Sequence, residues 1–417
     1  MSSLRTRHHF AVHALATALV VGFAVTTASK QRETPPALIA WPDARFPTIQ
    51  SAIDALPDGG TLRFSEAVVR VEEPLFVRAK RIVIEGDGCA EQKSGRRGGT
   101  HLVGPKAGSL AEFDAVRALI NFEPAEAGKV GGGGTVRNLK LSGFDAGIRA
   151  TGNAGPVVVE KVCITETDRG IAWSAVASLT ARKILIRDIV WNGASIAAVT
   201  SLAGAFVHFS DVTILNVAGA CVYYQNVQAV VVGSLFNFCG STATIASLNS
   251  NLYVADTNII GSNGPGIAIS GGSAFITETF VNQARGFGIL LHDVVHGDIE
   301  NVHIKDTTAF GSGPQAGLYG DAVTIVGGSA NGPVWVTDSF VETAAHSGVA
   351  NYGAFVSIGD LRIQCTLFHV EGEPLGTKSF TYSDLGGMKC GCPTAAGACQ
   401  AVSGASPAPP GPVTTTP

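Results

Sequence analysis

The side chains best suited to chemistry crowd one stretch of the sequence. Arg285 is followed by His292-Asp293, His296, Asp298, His303, Lys305 and Asp306, and then by Tyr319, Asp321 and His346. A His, Arg or Lys can remove a proton α to a carboxylate, while a neighbouring Asp can act as acid or base or hold a cation such as calcium. His292, Asp293, Asp321, Arg285, Lys305 and His346 are therefore the candidate catalytic residues, with Tyr319, Arg149 and Tyr223 as candidate substrate contacts. No residue set is assigned to a resident metal. The plainer alternative makes the same side chains solvated turn and loop positions, with His292 and His296 as surface polar groups.

Whether these residues can meet depends on the elements that carry them, and those elements repeat. A small residue followed by a β-branched apolar one recurs at Gly147-Ile148, Gly170-Ile171, Ser195-Ile196, Cys221-Val222, Thr244-Ile245, Gly266-Ile267, Gly288-Ile289, Ala322-Val323 and Gly348-Val349. Successive second positions lie 23, 25, 26, 23, 22, 22, 34 and 26 residues apart. A second column of turn residues keeps the same register: Lys161, Lys183, Asp211, Ser234, Asp256, Glu278, Asn301, Asp338 and Asp360. A period of this length, holding about three short strands with alternating apolar positions, is one coil of a parallel β-helix. The fold class read here is thus all-β: a single-stranded right-handed parallel β-helix, a solenoid of about 10–12 coils. Hairpin signals are too few for a barrel or sandwich, and the leucine and asparagine frame of leucine-rich repeats is missing.

In such a solenoid, side chains at like positions in adjacent coils stack about 4.8 Å apart. Alternation from each anchor puts Arg149, Ala172, Ala197, Tyr223, Ala246, Ala268, Leu290, Thr324 and Ala350 on the outer face of one strand column. A single charge among them makes that face poor in groups for acid–base work. The 34-residue interval implies a loop of about ten extra residues beside the titratable cluster. The acidic turn column, spread along the rod, reads as a structural ladder rather than a calcium site. Tyr223, Tyr224, Phe236, Phe238, Trp173 and Trp191 read chiefly as core aromatics, with sugar stacking as the alternative. Gly128-Lys-Val-Gly-Gly-Gly-Gly134 lacks the Lys-Ser or Lys-Thr of a phosphate loop.

Both ends of the rod carry cap signals. Thr48 is an N-cap candidate for an amphipathic helix stopped by Pro57-Asp-Gly-Gly60. Cys365, Cys390, Cys392 and Cys399 crowd the other end as a two-bridge clamp, a zinc site being the alternative that Cys-Gly-Cys spacing disfavours. Arg5 and Arg7, an apolar run from about Phe10 to Val25 and Thr26-Thr27-Ala28 have the layout of a secretory signal rather than a membrane span. The expected organisation is a signal over residues 1–28, a β-helix domain with both caps over 29–400, and a Pro/Thr-rich disordered tail over 401–417. Such a protein is secreted, extracellular or periplasmic, and after signal removal is not integral to a membrane. Removing residues 1–28 takes two of the 29 basic side chains and none of the 33 acidic ones, leaving a net charge near −6 that does not suit nucleic acid.

The segment Phe46-Pro-Thr-Ile-Gln-Ser-Ala-Ile-Asp-Ala-Leu-Pro-Asp-Gly-Gly-Thr61, followed by Ile82-Val-Ile-Glu-Gly-Asp-Gly88, resembles the pectin-lyase-like superfamily, in which such a helix caps the first coil. The resemblance covers roughly residues 40–375 as a fold pattern. The motif sets of polygalacturonases, pectin methylesterases and Asp-Pro-His-Asp epimerases are missing, and Val302-His-Ile-Lys305 only echoes one of them. The resemblance implies a carbohydrate-active protein whose partner is a polysaccharide or surface glycan. Two functions follow from it: a polysaccharide lyase or glycoside hydrolase acting on acidic polysaccharide, or a non-catalytic surface protein that binds glycans or proteins.

Overall fold

The computed structural model describes residues 37–89, 99–106, 117–126, 129, 131–175, 177–189, 199–201, 204–240, 243–311, 316–328, 333–392, 399–403 and 409–412. The signal expected over residues 1–28 lies outside the described residues. Within the unit from Ala37 onward, the chain winds as a right-handed parallel β-helix whose coils each contribute to three sheets, here called A, B and C.

The anchors of the repeat form the inner column of sheet A. Each residue of the series Leu75, Ile120, Ile148, Ile171, Val199, Val222, Ile245, Ile267, Ile289, Val323, Val349, Val370 and Ala401 pairs in parallel with the next, giving thirteen rungs. Two expectations are corrected. Ile171 pairs with Val199 rather than Ile196, which together with the expected outward Ala197 lies outside the described residues. Ala401–Val402, expected to open the tail, instead forms the last strand of sheet A.

The small residue of each anchor pair has a steric cause. A Cβ on Gly266 would lie 2.5 Å from Val281 Cγ1 and 2.7 Å from Gly288 O, and one on Gly288 would lie 2.5 Å from Ala322 O. At these two coils the turn from sheet C into sheet A passes too close to the next coil for a side chain, while Cys221, Thr244 and Ala322 fill the same position elsewhere with small or short ones. The turn from sheet B into sheet C has a different requirement. Lys161, Lys183, Asp211, Asp256, Glu278, Asn301, Asp338 and Asp360 all adopt φ between 46° and 55°. This left-handed conformation is one that Asn and Asp tolerate better than most residues. In the coil expected to use Ser234, Gly233 takes that conformation at φ 61°.

Apolar side chains from all three sheets merge into one continuous core, with Trp173, Tyr224 and Phe236 fully inside it. At its N-terminal end sits helix α1, Ile49–Ala55, capped by Thr48, whose side chain accepts from Ser51 N while Ser51 Oγ accepts from Thr48 N. It buries Ile49, Ala52 and Ile53 against the first coil. Gln50 accepts from Phe76 N at 2.8 Å and donates to Phe76 O at 3.0 Å, sealing the open edge of the first sheet A strand. Lys80 Nζ donates to the carbonyls of Ile53, Asp54 and Leu56 at the helix C-terminus, where Ile53 O also accepts from Leu56 N. At the other end, the four clustered cysteines pair as Cys365–Cys392 and Cys390–Cys399. Two further bridges, Cys89–Cys163 and Cys221–Cys239, tie coils nearer the middle.

Candidate functional site

One turn of the rod distributes neighbouring residues over different faces, so the cluster dense in sequence is divided in space. His292 and Asp293 sit where sheet A turns into sheet B; His292 Nδ1 is 3.2 Å from Asp293 Oδ2, and burial pushes the His292 pKa down. His296 and Asp298 lie on the outer face of sheet B, with the His296 ring between Phe275 and Trp335 at 4.9 and 5.1 Å and Asp298 pushed up by burial. His303 and Lys305 project from sheet C, where both meet Glu342, at 3.3 and 3.1 Å. Asp306 takes a left-handed turn conformation at the end of the same strand.

Arg149 and Tyr223 are on sheet A, but seven and four rungs from Asp321, roughly 34 and 19 Å along the rod. Arg149 is half-buried, and Tyr223 is buried, with its hydroxyl donating to Gln225 at 3.1 Å. The outer face of sheet A around Ala246 and Ala268 is buried and apolar.

Arg285, Tyr319, Asp321 and His346 do share one place, the corner where sheet C turns into sheet A. Asp321 opens its strand opposite Phe287, and His346 precedes the next strand, Ser347–Tyr352. Glu371, on the strand after that, faces the same point. Three successive coils therefore supply one residue each. His346 Nδ1 lies 2.7 Å from Asp321 Oδ1 and 3.4 Å from Glu371 Oε2. Both carboxylate side chains are 0% exposed and the imidazole is 13% exposed.

Asp321 is firmly held: Thr324 Oγ1 donates to its Oδ2 at 3.0 Å and Ser347 N to its Oδ1 at 3.1 Å. Ser347 Oγ donates to Glu371 Oε2 at 2.6 Å and stands 3.0 Å from His346 Nδ1. A carboxylate only accepts, so Nδ1 carries the proton toward Asp321 and the basic lone pair of a neutral ring is on Nε2. Because Asp321 and Ser347 share one ring nitrogen, the group is not a Ser–His–Asp relay, which uses both.

The walls of the corner are aromatic. From the long interval, Phe310 and Tyr319 lie 5.6 and 4.9 Å from Phe287. Burial first, and then the Asp321 charge, raise the Tyr319 hydroxyl pKa and keep it protonated. On the far side Phe368 packs edge-on to His346 at 5.3 Å. Arg285 stands exposed one coil below, bridged to Thr308. Glu371 and Ser347 were missed in the sequence, although Glu371 follows Val370, one anchor beyond the last recognised.

Among the described residues, Asp321, His346 and Glu371 are the one His/Cys/Asp/Glu group with ligand atoms mutually within 4.8 Å. An imidazole in the set makes it a poor calcium site, since calcium takes oxygen ligands. No helix among the described residues is long and apolar enough to cross a membrane.

No family model and no curated protein matches the chain. Among solved structures it is similar to the A-module of the mannuronan C-5 epimerase AlgE6 of Azotobacter vinelandii, at 15% identity and TM-score 0.48, covering 83% of this chain and 94% of that one. It is also similar to the DFA-IIIase of Arthrobacter chlorophenolicus A6 without its lid, at 12% identity and TM-score 0.46, covering 72% and 84%. A third similarity, to a GH87 α-1,3-glucanase catalytic domain, has 12% identity and TM-score 0.33 over 87% and 70%. These are likenesses of backbone, and no residue role is carried from them onto this chain.

Proposed function

We propose that this chain is a secreted carbohydrate-active β-helix protein that cleaves acidic polysaccharide by β-elimination, with His346 as the base. The observation that carries this reading is the 2.7 Å contact that fixes the His346 imidazole on a fully buried Asp321 while the ring itself reaches the surface. Asp321 orients the ring and stabilises the imidazolium formed when Nε2 takes the proton α to a uronate carboxylate. The electron pair released forms the carbon–carbon double bond as the β carbon–oxygen bond breaks, and the leaving oxygen takes a proton from the Tyr319 hydroxyl. Arg285, exposed at the rim, meets the substrate carboxylate. Glycoside hydrolysis requires two carboxyl groups that reach the scissile bond. Asp321 and Glu371 are both shielded behind the imidazole, which favours elimination over hydrolysis.

The test is to incubate the purified disulfide-bonded chain with a panel of acidic and neutral polysaccharides, with and without calcium, following ultraviolet absorbance of unsaturated ends alongside reducing ends. Absorbance should appear with an acidic substrate and fall about 10²–10⁴-fold in kcat for Asp321→Asn, which leaves the ring but removes the charge that orients it. Reducing ends without absorbance would replace the lyase by a hydrolase. Silence across the panel with glycan binding intact would make the protein a non-catalytic glycan binder.

A further inference from the structure

The corner that holds His346 has a charge imbalance that the elimination chemistry leaves unexplained. Asp321 and Glu371 are fully buried, and their ion partner among the described residues is the single imidazole of His346. Even a protonated ring leaves one negative charge uncompensated, and buried charges of this kind are costly unless paired or bound to a cation. In addition, Glu371 Oε1 is buried with no hydrogen-bond partner.

We propose that Asp321 Oδ1, His346 Nδ1 and Glu371 Oε2 bind one divalent transition-metal ion of the zinc or manganese type, with Ser347 Oγ at its edge. The three atoms lie within 4.8 Å of one another, with Nδ1 2.7 Å from Oδ1 and 3.4 Å from Oε2. Ligands about 2.1 Å from a shared ion are separated by roughly 3–4 Å, so small side-chain shifts suffice to admit it. One imidazole with two carboxylates suits zinc or manganese, whereas calcium and magnesium prefer all-oxygen shells. Thr324 Oγ1 and Ser347 N already hold Asp321 from behind, the support that orients a ligand before the ion arrives. The ion supplies the positive charge that the buried pair lacks, and the second oxygen of Glu371 has no hydrogen bond to give up. Coordination through Nδ1 puts the ring proton on Nε2, so the ion-filled chain is a resting form and the His346 base works only in the metal-free chain.

The measurement uses the metal alone and no substrate, so its failure and the failure of the elimination reading are separate results. The chain is stripped with a chelator, equilibrated with Zn2+, Mn2+, Mg2+ or Ca2+, and its bound metal counted. One Zn2+ or Mn2+ per chain is expected, undisplaced by excess Ca2+ or Mg2+, with at least about a tenfold loss of affinity in Glu371→Gln. If that variant does not fold, the wild-type protein decides: Mn2+ should broaden the His346 imidazole signals selectively in NMR spectra. No retained ion, retention unchanged in Glu371→Gln, or an unperturbed His346 signal with metal bound would each overturn the proposal.

Discussion

At the scale of single residues, phase in the coil matters more than proximity in sequence. Asp321, His346 and Glu371 are 25 residues apart in each step, about one period, and they converge. His292, only a few positions after the Phe287 that faces Asp321, ends at the far end of its strand, roughly 16 Å away. The half of the candidate site that shares a phase was therefore legible, namely Arg285, Tyr319, Asp321 and His346. Residues chosen for sequence density, His292, Asp293 and Lys305, fall on other faces. Titration provides a further residue-level prediction. Burial pushes the His208 pKa below its ordinary value of 6.5. Its neutral form thus contributes stability that is complete above about pH 6.5 and is lost as pH falls toward the depressed folded value. The thermal midpoint measured from pH 7 to pH 5 should fall less steeply in His208→Gln than in the wild type; parallel curves would count against this assignment.

At the scale of elements, the repeat was readable because two unrelated steric demands print themselves on each coil. The turn from sheet C to sheet A takes only small or short residues and at Gly266 and Gly288 excludes a Cβ, and the turn from sheet B to sheet C calls for left-handed backbone. Where the sequence reading slipped, the cause was local. Ser195-Ile196 satisfies the same two-residue pattern as a true anchor, but Ile171 pairs with Val199, because a two-residue pattern does not by itself fix which residue meets the rung below. The close approach at Gly266 gives a quantitative expectation. Gly266→Val would press against Val281 Cγ1 and Gly288 O, and overpacking of this order costs about 1–3 kcal/mol. A denaturant midpoint that is unchanged in the variant would mean the coil yields more readily than the contact distances imply.

At the scale of the whole molecule, a rod in which each coil touches only its neighbours fails from its ends. The two C-terminal bridges bind the final rungs, where Lys389–Cys390 and Ala401–Val402 make only two paired positions each. Replacing Cys390 and Cys399 with Ser should leave hydrogen exchange unchanged in the middle rungs and accelerate it beyond Phe368. Uniform acceleration along the rod would instead indicate that the coils unfold as one unit. The location of these bridges was foreseen from cysteine crowding, but Cys89–Cys163 and Cys221–Cys239 were not, since bridging partners 74 and 18 residues apart become neighbours only after the chain has coiled.

The seal made by Gln50 bears on how such a rod acquires a length at all. Parallel stacking has no natural first or last member, because every rung presents to the next the same template it received. By matching both backbone groups of Phe76 with one side-chain amide, helix α1 imitates a strand and offers nothing beyond itself for another strand to copy. At that end sheet A is thereby brought to a stop by a side chain of the same molecule, with no second chain needed to finish it.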